Sequence, residues 1–299
     1  NLVGRPSYEF IVPEQLSVND SISVLDEGKK LWSKTTFEHR KKVVLDYANH
    51  LEDHMEQAAS NLVAHANKTY FNAIGEVREA IDFIRYYTEQ AEKLFNNGDT
   101  LSYTGEINMT TYQSHGVWMV IAPWNFPLAI FVGPIIAALL TGNTVLAKPA
   151  PQTIRVAETA VSCMLECGIP DYAIRLCNPD PNEAEIAVAD ERIRGITFTG
   201  SHKTAKRIQR VLADREGPII PFIAETGGIN CMIADSTCLP EQLIKDAILG
   251  AFDSAGQRCS ATRFLFIQKD NSNDILKMLG NAIKVVQMGF SDDLNTDVT

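Results

Sequence analysis

Cys259, in the run Gly256-Gln257-Arg258-Cys259-Ser260, has the surroundings of a nucleophile. A cysteine is strongly nucleophilic near neutral pH once its proton is lost, and the neighbouring Arg258 could favour the thiolate. Gly256 would let the backbone approach a ligand closely, although an inert core cysteine is the alternative reading. Glu225 follows the apolar run Ile219–Ala224 and precedes Thr226-Gly227-Gly228. A carboxylate at such a strand end could be a general base, or simply a solvated turn residue. Asn125 stands between Trp124 and Phe126 in a proline-bounded loop. Its amide could stabilise a developing oxyanion without titrating, cap a helix beginning near Leu128, or do both.

Two further positions suit a ligand's polar groups. Lys148 ends the predicted strand Thr144–Ala147 and could hold a hydroxyl or phosphate, or be merely solvated. Gly200-Ser201 opens a predicted helix, whose free N–H groups and positive dipole end suit a pyrophosphate; an ordinary serine N-cap is the plainer reading. The dinucleotide fingerprint G-x-G-x-x-G is absent, so these residues alone do not point to a nicotinamide cofactor.

The elements that must position these residues change character along the chain. From about Asp20 to Phe95, apolar residues recur every three or four positions, as in Val44, Ala48, Leu51, Met55 and in Val77, Ile81, Ile84, Tyr87; this is helical. From Gly116 onward, strand-like runs at 117–122, 144–147, 173–176, 195–199, 219–224, 231–234 and 264–268 alternate with predicted helices. Those helices cover about 128–140, 153–167, 201–213, 240–255 and 272–286. The alternation predicts an α/β fold, a Rossmann-like parallel sheet preceded by a helical region and followed by the start of a second α/β domain. In such sheets ligands gather at the carboxyl ends of strands, where the candidate residues fall. The polar segment near 96–115 is expected to be a hairpin excursion.

Composition narrows the function classes. The chain of 299 residues is 45% hydrophobic and 21% charged, as expected of a globular protein with a sizeable core. A net charge of −10 without a basic cluster argues against nucleic acid as partner. The longest apolar run, Leu128 to Leu140, is too short to span a bilayer. Six scattered cysteines fit a reducing cytoplasm better than a disulfide framework, and no metal site is expected; Cys163 and Cys167 read as small core residues on one helix face.

Taken in order, Pro123-Trp124-Asn125-Phe126-Pro127, Leu146-Ala147-Lys148-Pro149, Phe198-Thr199-Gly200-Ser201, Glu225-Thr226-Gly227-Gly228 and Gly256-Gln257-Arg258-Cys259 resemble the motifs of the aldehyde dehydrogenase superfamily. The spacing of Glu225 and Cys259 suits it too. A narrower resemblance, carried by Glu76–Phe83 with Arg85-Tyr86-Tyr87 and by Ala251–Ala261, is to the Δ1-pyrroline-5-carboxylate dehydrogenase branch found in bifunctional proline utilisation proteins. The resemblance implies NAD as cofactor, with NADP possible, and oxidation of L-glutamate γ-semialdehyde to glutamate. In it Cys259 is the nucleophile, Asn125 the oxyanion donor and Glu225 the base for deacylation. Trp124 and Lys148 belong to the cofactor site, Lys148 on the adenosine ribose, and Gly200-Ser201 lies against the pyrophosphate. It further implies a homo-oligomer and a fused or associated proline dehydrogenase.

The chain departs from that pattern at Pro151, where the family often has a glutamate for the ribose 2′-OH, and at Asn178-Pro179-Asp180-Pro181, where the branch has a glycine-rich turn. The expected division is a cofactor-binding domain over 1–228 and the first part of a catalytic domain over 229–299, the 299 residues alone being inactive. Two other readings are a non-catalytic relative, which would have no need of Cys259, Glu225 and Asn125 together, and a coenzyme-A-acylating dehydrogenase, which would not need Glu225.

Overall fold

Amphipathic stripes make the N-terminal third helical. Helices α1 (Val18–Trp32), α2 (Phe37–Asp53), α3 (Met55–Ala66) and α4 (Tyr70–Asn96) follow one another, with Ser17 and Thr36 capping the first two by accepting from the Asp20 and His39 amides. Their buried sides include Val44, Tyr47 and Ala48 on α2 and Val77, Ile81 and Ile84 on α4. The computed structural model describes residues 16–96 and 102–299. Of the excursion expected near 96–115, residues 97–101 lie outside this description; residues 102–115 turn at Thr104-Gly105, are mostly exposed, and carry a bridge residue at Met109.

The remaining chain alternates as expected: β1 (Val117–Ile121), α5 (Ala129–Leu140), β2 (Thr144–Lys148), α6 (Ile154–Glu166), β3 (Ile174–Leu176), α7 (Pro181–Ala189), β4 (Ile193–Gly200), α8 (His202–Asp214) and β5 (Phe222–Thr226). These five strands form a parallel sheet in the order β3-β2-β1-β4-β5. Side chains alternate across it. Val120, Val145 and Ala147 join the core beneath α2–α6, while Val117, Met119 and Leu146 join the one beneath α1, α7 and α8. A second parallel pair, β6 (Asn230–Ala234) and β7 (Thr262–Ile267), packs one face on α9 (Pro240–Phe252) and α10 (Ser272–Ile283) through Leu243, Ile244 and Ile275. Its other face shows Ile233, Phe264 and Phe266 to solvent, the two rings stacked 6.1 Å apart.

Two departures from the sequence reading have local causes. Helix α7 went unforeseen because Asn178-Pro179-Asp180-Pro181 looks like a breaker. Instead Asp180 accepts from the Asn182 (2.7 Å) and Glu183 (2.9 Å) amides, Glu183 reaches back to the Asp180 amide, and Pro181 occupies the first turn, where it lacks no needed N–H. Strand β5 begins three residues later than expected, so Ile219 is left wholly exposed and Glu225 lies inside the strand, opposite Thr199 of β4.

Candidate active site

The sheet order reverses between β1 and β4, the place where open α/β sheets bind ligands at the carboxyl ends of their strands. Loop 122–128 leaves β1 there, and Gly200-Ser201 leaves β4. A larger cavity of about 510 Å³, lined by Lys29, Arg40, Tyr112 and His115, sits at the opposite end of β1 beside Gly116 and belongs to a different surface.

On the β4 side, Ser201 is the N-cap of α8 and accepts from the Thr204 amide at 3.2 Å; no acidic residue occupies the first turn. Capping and anion binding are compatible, since one serine oxygen leaves other first-turn N–H groups open. A Cβ at Gly200 would lie 2.7 Å from the Phe198 ring, so the backbone stays bare on this side. Lys148 ends β2 opposite Ile121 of β1, half-buried, its ammonium's one hydrogen bond among the described residues being a long 3.4 Å contact with the Pro149 carbonyl. Burial lowers its pKa, the cost of an ammonium with few partners. Pro151 starts an exposed single 3₁₀ turn three residues on. Trp124 is 45% exposed at the mouth of the crevice. An anionic, hydroxyl-bearing dinucleotide fits this set: a bare helix N-terminus, a spare ammonium and an accessible indole.

On the second side, Cys259 is exposed and follows a strained segment. Helix α9 stops at Phe252, earlier than the end near residue 255 expected from sequence, and gives way to a 3₁₀ turn in which Ser254 (φ 51°) and Ala255 (φ 55°) are left-handed. Gly256 (φ 67°) continues the run, and a Cβ there would meet the Ala251 carbonyl at 2.7 Å. Such strain persists only where surroundings hold it. Here Arg258 bonds Asp253 at 2.7 Å and Asn72 at 3.3 Å, and Arg263 donates to the Gly256 carbonyl. The Arg258 guanidinium is thus engaged in holding the segment rather than standing free beside the thiol.

Asn125 joins the two sides. Its Nδ2 donates to the Gln257 carbonyl, two residues before Cys259, leaving the second amide hydrogen for another acceptor. It does not cap α5. That task falls to Glu76 of α4, whose Oε1 accepts from the Leu128 (2.7 Å) and Ala129 (3.2 Å) amides. Glu225 is exposed and makes no ion pair among the described residues. It faces α4: burial, then the charges of Tyr86 and Glu225, push the Tyr87 hydroxyl pKa upward. Downstream of it, Asn230 donates to the Cys259 (2.6 Å) and Ala261 (3.1 Å) carbonyls. No direct bond joins Glu225 to Cys259.

Among the described residues, the side-chain atoms of His50, Cys163 and Glu166, all within 4.8 Å of one another, could together hold a metal ion. The sequence offered no histidine near Cys163; α2 supplies one. Burial pushes Cys163 and Cys177 up to about 12 and Cys167 to about 11, and Cys163 and Cys167 pack against the core as expected. A thiol of pKa 12 is about 10⁻⁴ thiolate at pH 8. Brief iodoacetamide treatment at pH 8 should therefore label the exposed Cys231 and Cys259 and spare Cys163, Cys167 and Cys177, as read by peptide mass mapping. Equal labelling of Cys163 would show that α2 and α6 part readily.

A parallel doubly wound sheet, with a cysteine-bearing segment tied to the loop at its switch point, defines an α/β architecture of the kind that binds ligands in that crevice. The aldehyde dehydrogenase family model matches residues 13–299, and the chain belongs to that family. It is 44% identical to the bifunctional protein PutA of Salmonella typhimurium strain LT2 over 273 residues, covering 90% of this chain and 20% of the relative. It is 32% identical to the 1-pyrroline-5-carboxylate dehydrogenase of Bacillus subtilis strain 168, covering 89% of this chain and 52% of that one. Among solved structures, proline utilization A of Bradyrhizobium japonicum superposes with a TM-score of 0.91 at 43% identity, covering 94% of this chain and 29% of that chain. The 1-pyrroline-5-carboxylate dehydrogenase of Thermus thermophilus gives 0.90 at 27%, covering 95% and 56%. The chain thus spans between a fifth and three-tenths of the length of the two PutA relatives and about half that of the dehydrogenases.

Proposed function

We propose that this chain is part of an NAD-dependent enzyme oxidising L-glutamate γ-semialdehyde to glutamate. The observation that carries the reading is the Asn125–Gln257 bond, which sets a neutral amide donor beside the Cys259 segment at the sheet's switch point. The named activity of the 1-pyrroline-5-carboxylate dehydrogenase relatives supports the substrate. In this reading the Cys259 sulfur attacks the aldehyde carbon, and the free hydrogen of the Asn125 amide, with the Cys259 backbone N–H, holds the oxyanion of the thiohemiacetal. A bound nicotinamide supplies the hydride acceptor. Glu225 then takes a proton from water attacking the thioester, releasing the carboxylate and the thiol. Gly200, Ser201, Lys148 and Trp124 hold the dinucleotide. Residues 1–228 serve the cofactor and 229–299 begin the catalytic domain; a homo-oligomer, and a proline dehydrogenase fused or associated, belong with the same reading. The exposed face of Ile233, Phe264 and Phe266 favours inactivity and self-association of the 299 residues alone.

The experiment is an assay of the polypeptide encoded by the whole gene with glutamate semialdehyde and either cofactor. NAD-linked turnover is expected; none, with the protein folded, overturns the reading. Pro151 refines it. A carboxylate there would accept from the ribose 2′-OH and repel a 2′-phosphate, and the exposed proline does neither. Losing that charged hydrogen bond weakens NAD by about 1.5–3 kcal/mol at most, and the solvated position limits the repulsion removed. The NAD preference should therefore be modest, and Pro151→Glu should raise it, read as kcat/KM for both cofactors. A native preference above about a thousandfold, roughly 4 kcal/mol, would place discrimination elsewhere.

A further inference from the structure

A buried ion pair that the proposed chemistry does not use lies beneath the site. Glu76 is fully buried and Lys68, just before α4, is only 7% exposed; Lys68 Nζ stands 2.6 Å from Glu76 Oε2. Among the described residues, neither of these two atoms makes a hydrogen bond besides this ion pair. Two charges in an apolar core cost several kcal/mol of desolvation each, a cost that well-packed apolar residues of similar volume would avoid. What the pair touches gives it a use. The second Glu76 oxygen accepts from the Leu128 and Ala129 amides, fixing the end of loop 122–128. The Lys68 ammonium lies 3.7 Å from the centre of the Phe126 ring, and Arg258 stands over the same ring at 5.1 Å. Arg258 also bonds Asn72, one helical turn before Glu76 on α4. Lys68, Asn72, Trp124, Asn125, Ser254 and Gln257 line one small cleft of about 30 Å³. The Asn125 loop and the Cys259 segment therefore meet on a common charged base supplied by α4 and its approach.

We infer that Glu76, through Lys68 and Phe126, is a positioning residue that fixes the Asn125 amide against the Cys259 segment. The inference rests on the reading of the site as aldehyde-oxidising. Glu76 touches no reacting atom and acts only through Asn125 and the ring between the two cations. Its sequence signal was a carboxylate on the apolar stripe of α4, between Asn72, Ala73 and Val77, Ala80.

The test is a double-mutant cycle in the whole-gene polypeptide. Glu76→Gln keeps an oxygen for one amide but leaves Lys68 without its countercharge. It should lower kcat/KM for the semialdehyde by about 10- to 100-fold, the scale expected of a displacement near 1 Å. In an Asn125→Ala background the same change should cost under about threefold, because the group it positions is already gone. Additive losses would overturn the inference, since a merely structural role weakens both backgrounds alike. If Glu76→Gln does not fold, Phe126→Leu, which removes the shared ring but no charge, takes its place in the cycle with the same expectation. Hydrogen exchange separates this from the functional reading. In Glu76→Gln, or in Glu76→Asp should the former not fold, the Leu128 and Ala129 amides should exchange at least tenfold faster while β1 is unchanged. Unchanged exchange rejects the positioning role whatever the activity, whereas faster exchange in a protein that never oxidises aldehyde rejects only the proposed reaction.

Discussion

Cys259→Ala is expected to abolish aldehyde oxidation in the whole-gene polypeptide while leaving NAD affinity within about twofold. In the proposed mechanism the sulfur forms the bond on which every later step depends, so its loss would remove the pathway rather than slow one step of it. The residue is exposed, so truncation to alanine opens no cavity. The segment around it is held by contacts that the thiol does not make: Arg258 to Asp253, Arg263 to Gly256, and Asn230 to the Cys259 carbonyl, which alanine keeps. The left-handed run from Ser254 to Gly256 should survive unchanged. Residual turnover of even a tenth, with NAD still bound, would mean another group attacks the aldehyde. Cys231, exposed on β6, whose partner strand β7 follows Cys259, is then the next thiol to test.

Much of this arrangement was legible in the sequence, for physical reasons that differ by element. Strands buried on both faces announce themselves as short apolar runs, and β1, β2 and β4 appear where such runs occur. Strand β5 slipped because Ile219-Ile220 reads as its start, yet it is Phe222–Thr226 that pairs with β4. Helix α7 was hidden by two prolines, one of which proved to be a helix start. At the site, loop residues could be proposed because ligands meet sheets at their carboxyl ends, but their mutual contacts could not. The Asn125–Gln257 bond joins segments far apart in the chain. The two roles weighed for Asn125 could be separated only by seeing that Glu76, from another helix, satisfies the amides of α5. A buried carboxylate paired through tertiary structure leaves at most a faint mark, one charge out of place on an apolar stripe.

Glu225→Gln should leave formation of the acyl-enzyme nearly intact and slow its hydrolysis by about 10²–10⁴-fold, the usual contribution of general base catalysis. The substitution is isosteric, so it preserves packing and removes only the capacity to take a proton. Position makes the split specific. Glu225 sits near the end of β5 opposite Thr199, exposed, and makes no bond to Cys259 or Asn125, the groups proposed to form and stabilise the first adduct. Gly227 and Gly228 follow it, and a Cβ at Gly227 would meet nothing within 4 Å, so the strand end has open space around it for a water and a swinging carboxylate. The segment beyond is tied to the Cys259 backbone through Asn230, five residues after Glu225. Rapid mixing with saturating NAD and semialdehyde should give a burst of NADH close to one per site at nearly the native rate, followed by slow turnover. If burst and steady state fell together, the carboxylate would be acting before the thioester exists, on the thiol or on the geometry of the first adduct, and its place as the deacylation base would be lost.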